Sequence, residues 1–146
     1  MCDRGDNTVK VFSPEGTQLL HTISDQDRAF LCFAVCYQNM YNVSYYSAHI
    51  VKVFSQKGVF LHSIGAPKYG DGQLNGPAGI TTDRFSNLVV CDCVNKRLQI
   101  FSLDGKVLSI LEGQHIGLGD PYSVAVSSTG QLFVTDAEKQ CVHVFQ

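Results

Sequence analysis

Charge is scarce in this 146-residue chain: Asp, Glu, Lys and Arg together make 16% of it, and the net charge is −2. So little charge beside 45% hydrophobic residues excludes a disordered chain, whose composition runs the other way. The faintly acidic balance gives no general attraction for polyanions, and DNA is not an expected partner. Long apolar runs are missing too. The longest nearly apolar stretch, Phe30–Tyr37, is far too short to cross a bilayer. Met1 runs straight into Cys-Asp-Arg-Gly-Asp-Asn, without the apolar segment of a secretory signal, so a cytoplasmic protein with no membrane partner is expected. No helical period of useful length is present, and no glycine loop leads from a strand into a helix to cradle phosphate. No Ser-His-Asp or Cys-His set can be assembled, so neither a catalytic residue nor a cofactor is expected. There is no CxxC pair. Cys91 and Cys93 stand two apart and Cys32 and Cys36 four apart, so the six cysteines read as small apolar residues in strands, with no metal site.

What the chain has is repetition. VKVFS at Val9–Ser13 returns at Val51–Ser55, as LQIFS at Leu98–Ser102 and as VHVF at Val142–Phe145. The phenylalanines Phe12, Phe54, Phe101 and Phe145 are spaced by 42, 47 and 44 residues. A period of that size marks repeated supersecondary units, with four-stranded propeller blades the leading candidate.

The third unit shows the pattern best. Four short runs, 79–83, 88–92, 97–101 and 107–111, read as strands A to D of an antiparallel meander. Nine residues before the phenylalanines stand Asp3, Tyr45, Asp92 and Asp136, and twenty-one before lie Phe33, Ile80 and Val124 at the centre of strand A. The C–D turns carry Gly16, Gly58 and Gly105, where a tight hairpin needs positive φ.

The expected fold is all-β: a partial β-propeller of about three to three and a half four-stranded antiparallel blades. Residues 1–23 hold the end of a blade (strands C and D), 24–65 and 66–113 complete blades, and 114–146 a blade lacking its last strand. Closed propellers carry four or more blades, which leaves two readings. Either the chain is a piece of a longer propeller, the favoured reading, or it associates with other copies through open blade edges.

The phrase Gly70-Asp-Gly-Gln-Leu-Asn-Gly-Pro-Ala-Gly-Ile-Thr-Thr-Asp83, then Asn87–Asp92 and Asn95-Lys-Arg-Leu-Gln-Ile-Phe101, resembles the NHL repeat. The fourth unit keeps Pro121, Val124, Val126, Asp136 and Phe145 but has Lys139 and Cys141 where Asn95 and Arg97 stand. The second departs most, with Phe30, Tyr45 and Ala48 in place of proline, aspartate and asparagine. The pattern is most similar to the C-terminal propeller of tripartite-motif (TRIM-NHL) proteins, which are ubiquitin ligases with RING, B-box and coiled-coil parts upstream. That resemblance implies a substrate-recognition propeller for a ligase, with no ligase chemistry in this chain, since it carries no zinc-ligand clusters. It implies as alternative a single-stranded RNA reader, and more remotely a metal-dependent lyase of the secreted NHL-like kind.

Asp3, Asp92 and Asp136 are expected to accept hydrogen bonds from backbone N–H groups of their own B–C turns. His21 and His62 take equivalent half-exposed places in strand D, while His49 and His115 lie in loops. On the face formed by B–C turns and D–A connections, the chain should present Arg4, Lys68, Tyr69, Lys96, Arg97, Tyr122 and Lys139. Cations among aromatics suit RNA. They suit a protein partner equally, and Asp71, Asp92, Glu112, Asp120 and Glu138 nearby dilute the positive field.

Overall fold

The computed structural model describes residues 1–3, 5–24 and 31–146, with the backbone alone at 31–34 and 36. Arg4 and Phe30 lie outside the described residues, as do the side chains of Cys32, Phe33 and Cys36. Four antiparallel sheets succeed one another along the chain. The first is β1 (Cys2–Asp3), β2 (Thr8–Phe12) and β3 (Leu19–Ser24). The second is β4 (Leu31–Tyr37), β5 (Met40–Tyr45), β6 (Ile50–Ser55) and β7 (Phe60–Ile64). The third is β8 (Pro77–Thr82), β9 (Leu88–Asp92), β10 (Arg97–Phe101) and β11 (Val107–Glu112). The fourth is β12 (Pro121–Val126), β13 (Leu132–Asp136) and β14 (Cys141–Phe145). Every strand pairs with its sequence neighbour, as in a meander.

Two features go beyond the expected strand list. Residues 1–23 hold more than strands C and D, because Cys2 and Asp3 pair with Val9 and Thr8 as the end of a strand B. The connection after β11 contains one helical turn, α1 (Gly113–Ile116), closed by Gly117 in the left-handed region.

The sheets stack face to face, and each buried cluster is one such contact. Val9 and Ile23 meet Tyr41, Val43, Tyr45 and Phe54 between sheets one and two. Val51, Val53 and Ile64 meet Ile80, Leu88, Val90 and Phe101 between two and three. Val89, Cys91 and Leu98 meet Leu118, Val124 and Val134 between three and four. Period-2 alternation sends successive residues to opposite faces, so sheets two and three feed two cores each. The inner strands converge: β8 touches β4 on one side and β12 on the other. The approach is close enough that a Cβ on Gly79 would stand 2.5 Å from the Cα of Ser123. All-β sheets stacked radially with strand A innermost form a partial β-propeller.

Phe54 and Phe101 are buried in these contacts. Phe145 is half-buried because β14 is the outermost strand of its sheet among the described residues, and Phe12 is 38% exposed because its face of sheet one meets no other sheet among them. The aliphatic–Phe pair also marks a bulge. Pairing with strand D slips between Val11 and Phe12, Val53 and Phe54, and Ile100 and Phe101. The residues skipped are Leu20, Leu61 and Leu108, all exposed.

Every B–C turn ends in a left-handed residue five positions before the phenylalanine: Asn7, His49, Lys96 and Gln140, with φ of 56°, 58°, 55° and 54°. None is glycine. Asn42, fully buried at the register position of Val89, finds no partner for either end of its amide. An unpaired buried polar group costs about 1–3 kcal/mol. Asn42→Val is therefore expected to raise the denaturant midpoint without changing its slope, a gain of about 1–2 kcal/mol in equilibrium unfolding.

Candidate functional site

The recurring aspartate sits at the end of strand B, where its neighbours differ from those expected. Asp92, fully buried, accepts from the backbone N–H of Asn75 at 2.6 Å, from Asn95 Nδ2 at 2.8 Å, Arg97 Nε at 2.9 Å and Gln99 Nε2 at 2.9 Å. Its backbone partner is thus the loop leading into strand A rather than its own B–C turn. Asp136 combines both: the N–H groups of Gly119 (2.7 Å) and Asp120 (3.0 Å) come from the lead-in loop, and that of Lys139 (3.0 Å) from the turn. Asp3 follows expectation, accepting from Gly5 N–H at 2.9 Å, and it also pairs with Lys10.

A second recurring position completes the latch. Seven residues after the aspartate, strand C presents Lys10, Gln99 and His143, each reaching that carboxylate. In the second sheet the aspartate is replaced by Tyr45, and the matching Lys52 lies over its ring, 5.0 Å from the centroid. Sequence reading missed this position because three different residue types fill it in the four units; the constant offset was the available signal.

Arg97 is the main correction. It is 4% exposed, and beside Asp92 its guanidinium donates to the carbonyls of Gly70 (2.8 Å) and Gln73 (3.1 Å) and to Glu112 (3.4 Å). Gln99 adds bonds to Gly72 N–H and the Gln73 carbonyl. The Gly70–Gly76 segment is therefore a loop whose backbone is read by Asp92, Arg97 and Gln99, and Arg97 is buried by these bonds instead of standing out as an exposed cation. A guanidinium this deep needs its carboxylate.

The other candidates scatter around the mouth. Lys96 is exposed but pairs with Glu138 at 2.7 Å across to the next unit. Lys139 donates to the Gly117 carbonyl. Lys68 is exposed at a turn, its carbonyl accepting from Asn95 Nδ2. Tyr122 lies on β12, exposed. Tyr69, 71% exposed, joins Val94, Asn95, Lys96, Arg97 and Glu112 around an open cleft of about 490 Å³, with Leu118 at its floor. Of the predicted residues, the structure gathers Tyr69, Lys96 and Arg97 at that cleft.

Of the loop histidines, His49 accepts the Gly76 N–H on Nδ1 at 3.0 Å, tying one unit to the next, and His115 lies exposed on α1. His62 Nε2 lies 3.1 Å from the Leu103 carbonyl. One nucleophile–base pair escaped the sequence reading: Cys141 Sγ lies 3.4 Å from His143 Nε2. The same nitrogen faces Asp136, so the carboxylate does not hold the opposite ring nitrogen, as the orienting carboxylate of a triad does while the imidazole takes the nucleophile's proton. Cys91 is inert as well, since burial pushes its thiol well above the ordinary range.

Burial pushes the Asp136 carboxyl up, but the three backbone N–H donors and His143 outweigh it and hold the group well below the usual carboxylate range. A depressed folded value stabilises the fold fully above the unfolded one and less as pH falls below about 4. Asp136→Asn is thus expected to lower stability at neutral pH and to flatten the acid limb of a stability–pH curve. Asp92→Ala, stranding Arg97 and the Asn75 amide, is expected to cost about 3–5 kcal/mol in denaturant unfolding.

Residues 118–145 match the model of the NHL repeat. Human NHL-repeat-containing protein 4 is 33% identical over 70 residues, which make 48% of this chain and 54% of that protein. The chain thus spans about half the length of the curated relative it matches. Among solved structures, the WD40 β-propeller domain of Doa1 superposes with a TM-score of 0.72 at 15% identity, over 95% of this chain and 43% of that one. Virginiamycin B lyase from Staphylococcus aureus gives 0.69 at 15% identity, over 98% of this chain and 50% of that one. Both likenesses are of fold.

Proposed function

We propose that this NHL-repeat β-propeller chain is a non-catalytic protein-recognition platform that binds its partner at the Tyr69 cleft. The observation that carries the reading is the company the cations keep. Lys96 is neutralised by Glu138, Arg97 by Asp92 and Glu112, and Lys10 by Asp3 and Asp6. Phosphate binding needs unpaired positive charge along a track. Exposed Tyr69 and Val94 beside Asn95 and Gln114 offer instead the aromatic and apolar anchor with polar rim that protein interfaces use. Substrate presentation for a ubiquitin ligase in a longer polypeptide is the finer form of this reading, in the cytoplasm, where the thiols of Cys2, Cys91, Cys93 and Cys141 would stay reduced.

Peptide-display selection on the chain tests it. The expected result is a consensus enriched on the native chain and lost, at least about tenfold, on Tyr69→Ala/Val94→Asp, whose exposed positions leave the fold intact. Gel retardation with single-stranded RNA at low salt is expected to show no shifted band. A band that fades steeply with salt and disappears in Lys96→Ala/Lys139→Ala would replace the protein reading with the RNA one.

A further inference from the structure

Two cations stand at the Tyr69 cleft, Lys96 and Arg97, and three carboxylates answer them. Glu138 takes Lys96 at 2.7 Å, and buried Asp92 takes Arg97 at 2.9 Å. Glu112 is the surplus. Its side chain lines the cleft 39% exposed, and its contact is the 3.4 Å approach of Arg97 Nη1 to one of its oxygens. The next charges out, Lys68 and Lys139 against Asp71 and Asp120, cancel. Lys96 feels the negative balance: Glu138 first, then Asp120 and Asp136, hold its ammonium above the ordinary range.

Asn95 adds a second unmet group. Its Nδ2 is spent on Asp92 and on the Lys68 carbonyl, while its Oδ1 is buried without a hydrogen-bond partner among the described residues. Arg97 holds Glu112 and the segment bearing Tyr69 on either side of one guanidinium, because Nη1 faces Glu112 and Nη2 binds the Gly70 carbonyl. The cleft thus joins an exposed aromatic ring to two acceptors in want of donors. An apolar side chain seated there would strip water from Glu112 and leave both acceptors unpaired. An anion would meet the surplus charge. All the lining residues fall between Tyr69 and Leu118, so this stretch of sequence builds the cleft by itself.

We propose that the partner protein enters this cleft with an arginine side chain. Its guanidinium lies on the Tyr69 ring and donates to Glu112 and Asn95 Oδ1, and its methylene stem runs along Val94 and Leu118. Arginine suits the site better than lysine, because a planar fork reaches two acceptors while one face rests on a ring. The inference rests on the protein-recognition reading of the cleft and adds the chemistry of the anchor.

Peptides selected on the native chain from a random library are expected to share an arginine. Citrulline in its place keeps the shape and removes the charge, and is expected to weaken binding at least about fivefold in titration calorimetry. Glu112→Gln leaves Arg97 an acceptor, and on this variant the arginine and citrulline peptides should differ by less than about twofold. Tyr69→Leu, at an exposed position and still apolar, should weaken the arginine peptide about threefold or more and the citrulline peptide hardly at all. Circular dichroism identical to that of the native chain confirms that both variants are folded. Selected peptides that share lysine or no basic residue, or a citrulline peptide that binds the native chain equally well, would overturn the arginine anchor and leave protein recognition at the cleft standing. Failure to select any peptide sensitive to Tyr69→Ala/Val94→Asp would overturn both.

Discussion

A sheet that is apolar on both faces has nowhere to go but between two others. Strands β9 and β10 are buried along nearly their whole length because sheets two and four cover both sides of the third. This constraint sets the radial order, since each sheet must hold a neighbour on either hand while its inner strand approaches theirs. It explains why Gly79 lies where β8 meets β12, the point at which backbones touch. It also explains why the phenylalanine of each repeat has a different fate according to what stands in front of it.

Stacked sheets alone would slide, and the carboxylate latch prevents it. Asp92 sits at the junction of strand B, strand C and the loop feeding strand A, so one buried charge fixes three segments. Burying it is tolerable because each oxygen has N–H donors and a guanidinium lies alongside. The fourth sheet reaches the same end by another route. It has Cys141 in the arginine position, and Asp136 relies on three backbone amides and an imidazole. The second sheet trades the charge for Lys52 above Tyr45. A single mechanical task is thus met by different chemistries in different sheets.

The repeat, its strands and the glycine turns between C and D were legible because they depend on period and φ, which are local. Gly16, Gly58 and Gly105 do take positive φ. The direction of Arg97 was not legible, because a cation beside a turn looks the same whether it faces water or a carboxylate across the strand. Asn7, His49, Lys96 and Gln140 hid for a related reason: their left-handed conformation is imposed by the turn and bears no glycine signature. Of the surface reading, Tyr69 and Lys96 meet at the cleft, whereas Lys68, Tyr122 and Lys139 do not line it.

The slipped pairing at Leu20, Leu61 and Leu108 throws the outer strand of the first three sheets out of phase with any straight newcomer. Inner strands β4, β8 and β12 are kinked as well. Strand β14 is different: its pairing with β13 runs without interruption, and it is the outermost strand of the fourth sheet among the described residues. Sideways growth of the kind that seeds amyloid has one regular template here among the described residues, Cys141–Phe145.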